Sequence, residues 1–208
     1  MTNRNVSHSS SKNKKCKKNI KKSTKNYETL YPYIGTWNVF SGQQIEALAE
    51  YAKFCIENGI HILAVQETKR KSGFVEDWEF IGSLLKGWRF IGTGKLKSKC
   101  GVGFIVSPEV NVIETHDHAD FDCWGRIISI RAEIFGLRLK VVNCYAPHLG
   151  YVEATKDNFY VKLRKCMNEL DSFKRGQFVG LGDFNAVIGS QDSNMYGSSV
   201  GCNHRVKR

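Results

Sequence analysis

The chain has 208 residues and a formal net charge of +11, from 31 Lys or Arg against 20 Asp or Glu. That length suffices for one domain with a substantial core. No apolar stretch reaches the length of a membrane span, and no charged-then-apolar leader opens the chain, so no membrane association is expected. The seven cysteines are odd in number and lack Cys-x-x-Cys spacing. They read as reduced core residues of an intracellular protein and speak against a structural zinc site.

The charge is uneven. Nine basic residues and no acid fall between Met1 and Asn26, which leaves 22 basic against 20 acidic residues in the remainder. Residues 1–30 are therefore expected to be a disordered Lys-rich tail without apolar periodicity. Such a run serves as a nuclear-localisation signal, as a non-specific phosphate-binding arm, or as a solvated leader with no partner. Residues 31–208 are expected to form the folded domain.

The first element in chain order is a strand over Tyr33 to Val39. Ser41 is placed to cap a helix over Gln43 to Asn58, with Ile45, Leu48, Ala49, Ala52, Cys55 and Ile56 in one stripe. Gly59 supplies its stop. A second apolar strand over Ile60 to Gln66 delivers Glu67 at its end, and this strand–helix–strand unit argues for an α/β domain. Short strands are then expected over Trp88 to Gly92, Gly101 to Val106, Val110 to Thr115, Arg126 to Ile134 and Leu137 to Tyr145. Phe135-Gly136 forms a tight turn between the last two. A helix over Ala154 to Phe173 turns Phe159, Leu163, Cys166, Met167 and Leu170 inward, and a strand from Gln177 ends at Asp183. Strands with few helices suggest sheets packed face to face, flanked by helices.

Polar groups of chemical interest cluster at the carboxyl ends of these strands: Asn38, Glu67, Asn143 with Tyr145, and Asp183 with Asn185. Alternate residues on a strand share a face, so Asp183 and Asn185 point the same way from rigid backbone. Glu67 is the only acid in its segment and suits a hard divalent ion, which takes one or two carboxylates plus water and phosphate oxygens. It is otherwise a cap or loop salt bridge. Asp183 could act as a general base, Asn185 fix a phosphate and Tyr145 donate to a phosphoryl oxygen. Otherwise Asp183 and Asn185 are turn chemistry and Tyr145 is ordinary strand composition. Arg126 either meets a phosphate or lies on the surface. The run His116-Asp117-His118 reads as a solvated loop rather than a metal site. Close strand packing explains Gly101-Val102-Gly103, and core packing is the expected use of Trp78, Trp88 and Trp124.

The ordered set Thr36-Trp37-Asn38, Val65-Gln66-Glu67-Thr68, Gly101-Val102-Gly103, Arg126-Ile-Ile-Ser, Asn143-Cys-Tyr-Ala-Pro147 and Gly182-Asp-Phe-Asn185 resembles the endonuclease/exonuclease/phosphatase superfamily. Within it the chain is most similar to endonuclease domains of LINE-type retrotransposons and to craniofacial development protein 2-like proteins. The resemblance spans about Tyr33 to Gly201. It implies a four-layered α/β sandwich of two mixed β-sheets flanked by helices, and Mg²⁺- or Mn²⁺-dependent cleavage of phosphodiester bonds. It also implies roles: Glu67 as metal ligand with Asn38 assisting metal or phosphate, Tyr145 stabilising the reacting phosphate, Asp183 handling the water and Asn185 binding phosphate. Asn143 and Arg126 complete the phosphate-binding set. Family members carry a later Asp and a Ser-Asp-His segment with no counterpart before Arg208. The sandwich is therefore expected to be incomplete at its C-terminus and catalysis to be weakened. The function expected is that of a DNA endonuclease. The alternatives are a non-catalytic nucleic-acid-binding fragment using the basic tail and a phosphoesterase on another substrate.

Overall fold

The computed structural model describes residues 31–70, 76–93, 100–118, 125–171 and 176–186. The Lys-rich tail, Trp124, His204, Cys16, Cys123 and Cys202 lie outside them. The elements, all in the unit Tyr31–Arg208, are β1 (Ile34–Asn38), α1 (Ile45–Glu57), β2 (Ile62–Gln66), β3 (Glu76–Glu79), β4 (Arg89–Thr93) and β5 (Val102–Val106). There follow β6 (Asn111–Asp117), β7 (Ile127–Ile134), β8 (Leu137–Tyr145), α2 (Glu153–Asp171) and β9 (Gln177–Asp183).

Each helix returns the chain across a sheet, so the strands it joins run parallel. Helix α1 links parallel β1 and β2, and α2 links parallel β8 and β9. The remaining neighbours are antiparallel, giving two mixed sheets of order β1-β2-β5-β4-β3 and β6-β7-β8-β9. Alternation along each strand then sorts side chains between layers. In β2, Leu63 and Val65 join Leu48, Ala52 and Cys55 of α1. Ile62 and Ala64 of the same strand join Ile128, Ile130 and Val141 of the other sheet. The far face of that sheet packs Ile127, Val142 and Cys144 on Phe159, Leu163 and Cys166 of α2. The result is the four-layered α/β sandwich that the sequence predicts. Each fully buried Ile, Leu or Phe side chain stabilises it by about 1.5–3 kcal/mol.

Local signals hold in several places. Gly59, with φ 64°, ends α1 by donating to the Ile56 carbonyl while Ile60 N–H donates to Cys55. Phe135 and Gly136 make the tight β7–β8 turn, with φ 50° and 78°. Cys55, Cys100, Cys144 and Cys166 are buried free thiols, and burial pushes Cys55, Cys144 and Cys166 up to about 12. Gly103 packs where a Cβ would strike the Phe90 ring. Trp78 and Trp88 pack in the α1-side core.

Other expectations need correcting. The residue that caps α1 is Gln44, with no side-chain cap, because Ser41 and Gly42 are instead held by Val39 and Thr68 carbonyls. Ile45, Ile56 and Met167 are exposed members of their predicted stripes. His116-Asp117-His118 is not a solvated loop: strand β6 runs through Asp117. Asp117 accepts from Thr93 Oγ1 at 2.7 Å, and His118 Nε2 lies 2.9 Å from Ser129 Oγ and 3.1 Å from Cys166 Sγ.

Candidate active site

Four strands, two from each sheet, end at one place. Strands β1 and β2 are in register from Ile34↔Ile62 to Asn38↔Gln66, so Asn38 and the following Glu67 emerge together. Tyr145 and Asp183 are register partners at the ends of β8 and β9. Asn38 Nδ2 joins the sets, donating to Glu67 Oε1 and to Asp183 Oδ2 at 2.9 Å each. The Tyr145 hydroxyl donates to the same Glu67 Oε1 at 2.9 Å. Asn185 N–H holds Asp183 Oδ1 at 2.9 Å, and Asn185 Nδ2 donates to the Ala146 carbonyl at 2.7 Å. Lys69 Nζ stands 3.7 Å from Glu67 Oε2 and 3.5 Å from the Phe40 ring centre.

The backbone is bent to allow this. Of five non-glycine residues with positive φ among the described residues, Phe40, Glu67, Lys69 and Asn185 flank the site, at φ 46° to 56°. Such conformations cost free energy and persist where surrounding contacts impose them. Gly182, at φ 147°, is required for a second reason. A Cβ there would run into the Cys144 carbonyl and push β9, with Asp183, away from β8.

Electrostatics separate the roles. Burial, then the hydrogen bond to Glu67, push the Tyr145 phenol up from 10.0 to about 12. Tyr145 therefore remains a proton-bearing donor across the working pH range. Arg126 is buried; its Nη1 donates to the Tyr145 carbonyl and its Nη2 to the Tyr151 hydroxyl, both at 3.0 Å.

Six of the seven expected residues thus lie at or beside one centre. Asn143 does not reach it. Fully buried, it donates to the carbonyls of Val65 at 2.9 Å and Gly103 at 2.7 Å and accepts from Gln66 Nε2 at 2.7 Å. Both amide hydrogens are used in tying the two sheets together, so none is left for a phosphate. Asn38 also differs from expectation. Its carbonyl oxygen accepts from Phe40 N–H at 3.1 Å, so the amide nitrogen rather than a metal-ligating oxygen faces the carboxylates. Arg126 spends its described hydrogen bonds on the protein, where it holds the Tyr145 carbonyl and the Tyr151 hydroxyl. Lys69 and Tyr151 are neighbours that the sequence reading missed; the run Glu67-Thr68-Lys69 was the available signal for the first.

This fold is shared with solved structures of nucleases and phosphatases. Among solved structures, the 3′-5′ exonuclease NExo from Neisseria meningitidis is similar at 24% identity and TM-score 0.55, over 73% of this chain and 57% of that one. A Neisseria 3′ phosphatase NExo bound to a product DNA hairpin matches at 22% identity and TM-score 0.55, over 76% and 59%. An AP endonuclease from Archaeoglobus fulgidus matches at 22% and TM-score 0.52, over 75% and 58%. The chain thus spans less than two thirds of the length of these structures. No protein-family model and no curated protein matches the chain by sequence.

Proposed function

We propose that the chain carries a metal-dependent phosphodiesterase site and acts on DNA as an endonuclease of LINE-type retrotransposon or craniofacial development protein 2-like kind. The observation that carries the reading is Asn38 Nδ2, bridging Glu67 and Asp183 from three strand ends. The likeness to a phosphatase bound to a DNA hairpin supports the choice of substrate. The nine cations of residues 1–26 support both nucleic-acid binding and a nuclear location.

A divalent cation fits the donors present. Among the described residues no three His, Cys, Asp or Glu side chains gather, but Glu67 and Asp183 form an all-oxygen pair suited to Mg²⁺ or Mn²⁺. Glu67 Oε2, 3.7 Å from Lys69 Nζ, would hold the ion. Bound there, the ion would neutralise phosphate charge. Asp183 is fixed through both oxygens by Asn38 and Asn185, and its free lone pairs accept the proton of the attacking water. The water oxygen bonds to phosphorus as the P–O bond to the leaving strand breaks. Tyr145 turns its hydroxyl from Glu67 to the phosphoryl oxygen, where charge grows. Asn38 and Asn185 supply amide donors beside it.

Nicking of supercoiled DNA by the full chain, with Mg²⁺ or Mn²⁺ and then EDTA, tests this. Metal-dependent nicking that Asp183→Ala abolishes is expected; nicking unchanged by Asp183→Ala overturns it. A panel of small phosphoesters run alongside decides between DNA and another substrate. The second reading, a non-catalytic binder, is favoured if DNA is bound through the basic tail but never cut.

A further inference from the structure

Rings and charge extend outward from the site along the loop that follows β8. Tyr145 and Tyr151 both lie 5.1 Å from the Arg126 guanidinium carbon, so their ring centres are at most twice that distance apart. A base on Tyr151 would therefore be within reach of a nucleotide whose phosphate meets Tyr145. The Tyr151 ring is fixed before any ligand arrives. Its hydroxyl accepts from Arg126 Nη2 at 3.0 Å, and its N–H donates to the His148 carbonyl at 3.0 Å. The His148 ring centre lies 4.7 Å away, and Gly150 N–H donates to His148 Nδ1 at 3.0 Å. A fixed ring loses little conformational entropy on binding.

The loop nevertheless leaves apolar surface in water. Tyr151 is 38% exposed, between Leu149 at 79% and Val152 at 70%. Tyr151, Leu149 and Val152 thus form an apolar shelf on a loop held by its own hydrogen bonds. Arg126 adds a second signal. It is 6% exposed, and its described hydrogen bonds go to a carbonyl and a phenol rather than to a carboxylate. A buried guanidinium not neutralised by those bonds favours an anion nearby. An apolar shelf beside positive potential matches a nucleotide, with its base on the shelf and its phosphate toward the charge.

We propose that Tyr151, flanked by Leu149 and Val152, is a subsite for an unpaired nucleobase next to the scissile phosphate, so that the site prefers single-stranded or distorted DNA. This rests on the phosphodiesterase reading for the position of the phosphate, but the stacking is measurable without cleavage. The probe is a short single-stranded DNA oligonucleotide carrying 2-aminopurine, bound by full chain with Asp183→Asn to prevent turnover. Quenching of the probe is expected, with Tyr151→Ala removing it and weakening affinity about 5- to 100-fold, while Tyr151→Phe retains most of both. An oligonucleotide abasic at the probe position is expected to lose affinity equally, and Tyr151→Ala then adds nothing further. Unchanged quenching and affinity in Tyr151→Ala, or an abasic strand bound as tightly as the base-bearing one, overturns the subsite. Retention of the Tyr151→Phe behaviour excludes misfolding as the cause. Quenching without metal-dependent nicking would leave the subsite standing and remove the enzymatic reading.

Discussion

Substituting Asn143 by Ala separates the core of this protein from its chemistry. The side chain is wholly buried and makes three hydrogen bonds, to the Val65 and Gly103 carbonyls and from Gln66 Nε2. Val65 and Gly103 face each other on β2 and β5, so one amide from the second sheet clamps two strands of the first. Removing it loses about 1 kcal/mol per bond and leaves buried groups unpaired at about 1–3 kcal/mol each. Gln66 keeps its bond to Thr36 Oγ1 at 2.9 Å, which limits the penalty. The expected loss is about 3–5 kcal/mol, a large share of the roughly 5–15 kcal/mol that holds a domain folded. Urea unfolding followed by circular dichroism measures it. A loss below about 1 kcal/mol accompanied by failure to bind a phosphodiester would refute the assignment of Asn143 to the core and return it to the phosphate.

Tyr145→Phe is expected to lower the turnover rate about 100-fold, the scale for losing one donor to a developing charge. Because burial holds the phenol near 12, wild type and variant should give parallel rate profiles from pH 6 to 9. A deficit appearing only above a pKa within that range would contradict this. The stability effect has a definite sign. The folded pKa exceeds the ordinary 10.0, so the contribution of this phenol is fully present below pH 10 and fades as pH rises through about 12. Melting curves of the two proteins should converge over that interval. Deleting residues 1–26 removes nine cations and should flatten the salt dependence of DNA affinity by up to about 0.9 per cation lost. An unchanged slope would show that the tail does not touch phosphate.

Much of the fold was legible because it rests on local periodicity. Continuous apolar runs such as Ile62–Gln66 and Val102–Val106 are buried on both faces and read as strands without ambiguity. Strand β3, Glu-Asp-Trp-Glu, escaped because its acids are paired across space, Glu76 with Arg70 at 2.7 Å and Asp77 with Arg89 at 2.6 Å. The polar end of β6 was hidden in the same way, with Glu114 2.6 Å from both Arg131 and His116. For the site, strand ends were the right place to look, but no local pattern sets which ends meet. That depends on the register of β8 with β9 and on the packing of two sheets, which brings Tyr145 to Glu67 across 78 residues and Asp183 to Asn38 across 145. Asn143 shows the limit. Tyr145, two residues on and on the same face, reaches the centre, yet Asn143 sits deeper along β8 between the sheets.

Glu67 and Asp183 are expected to work as one unit around a shared cation and phosphate. A double-mutant cycle on metal-dependent DNA nicking, using Glu67→Gln, Asp183→Asn and the pair, measures this directly. The double variant should be little slower than the slower single one. Rate losses that simply multiply, or a single variant with full activity, would contradict it.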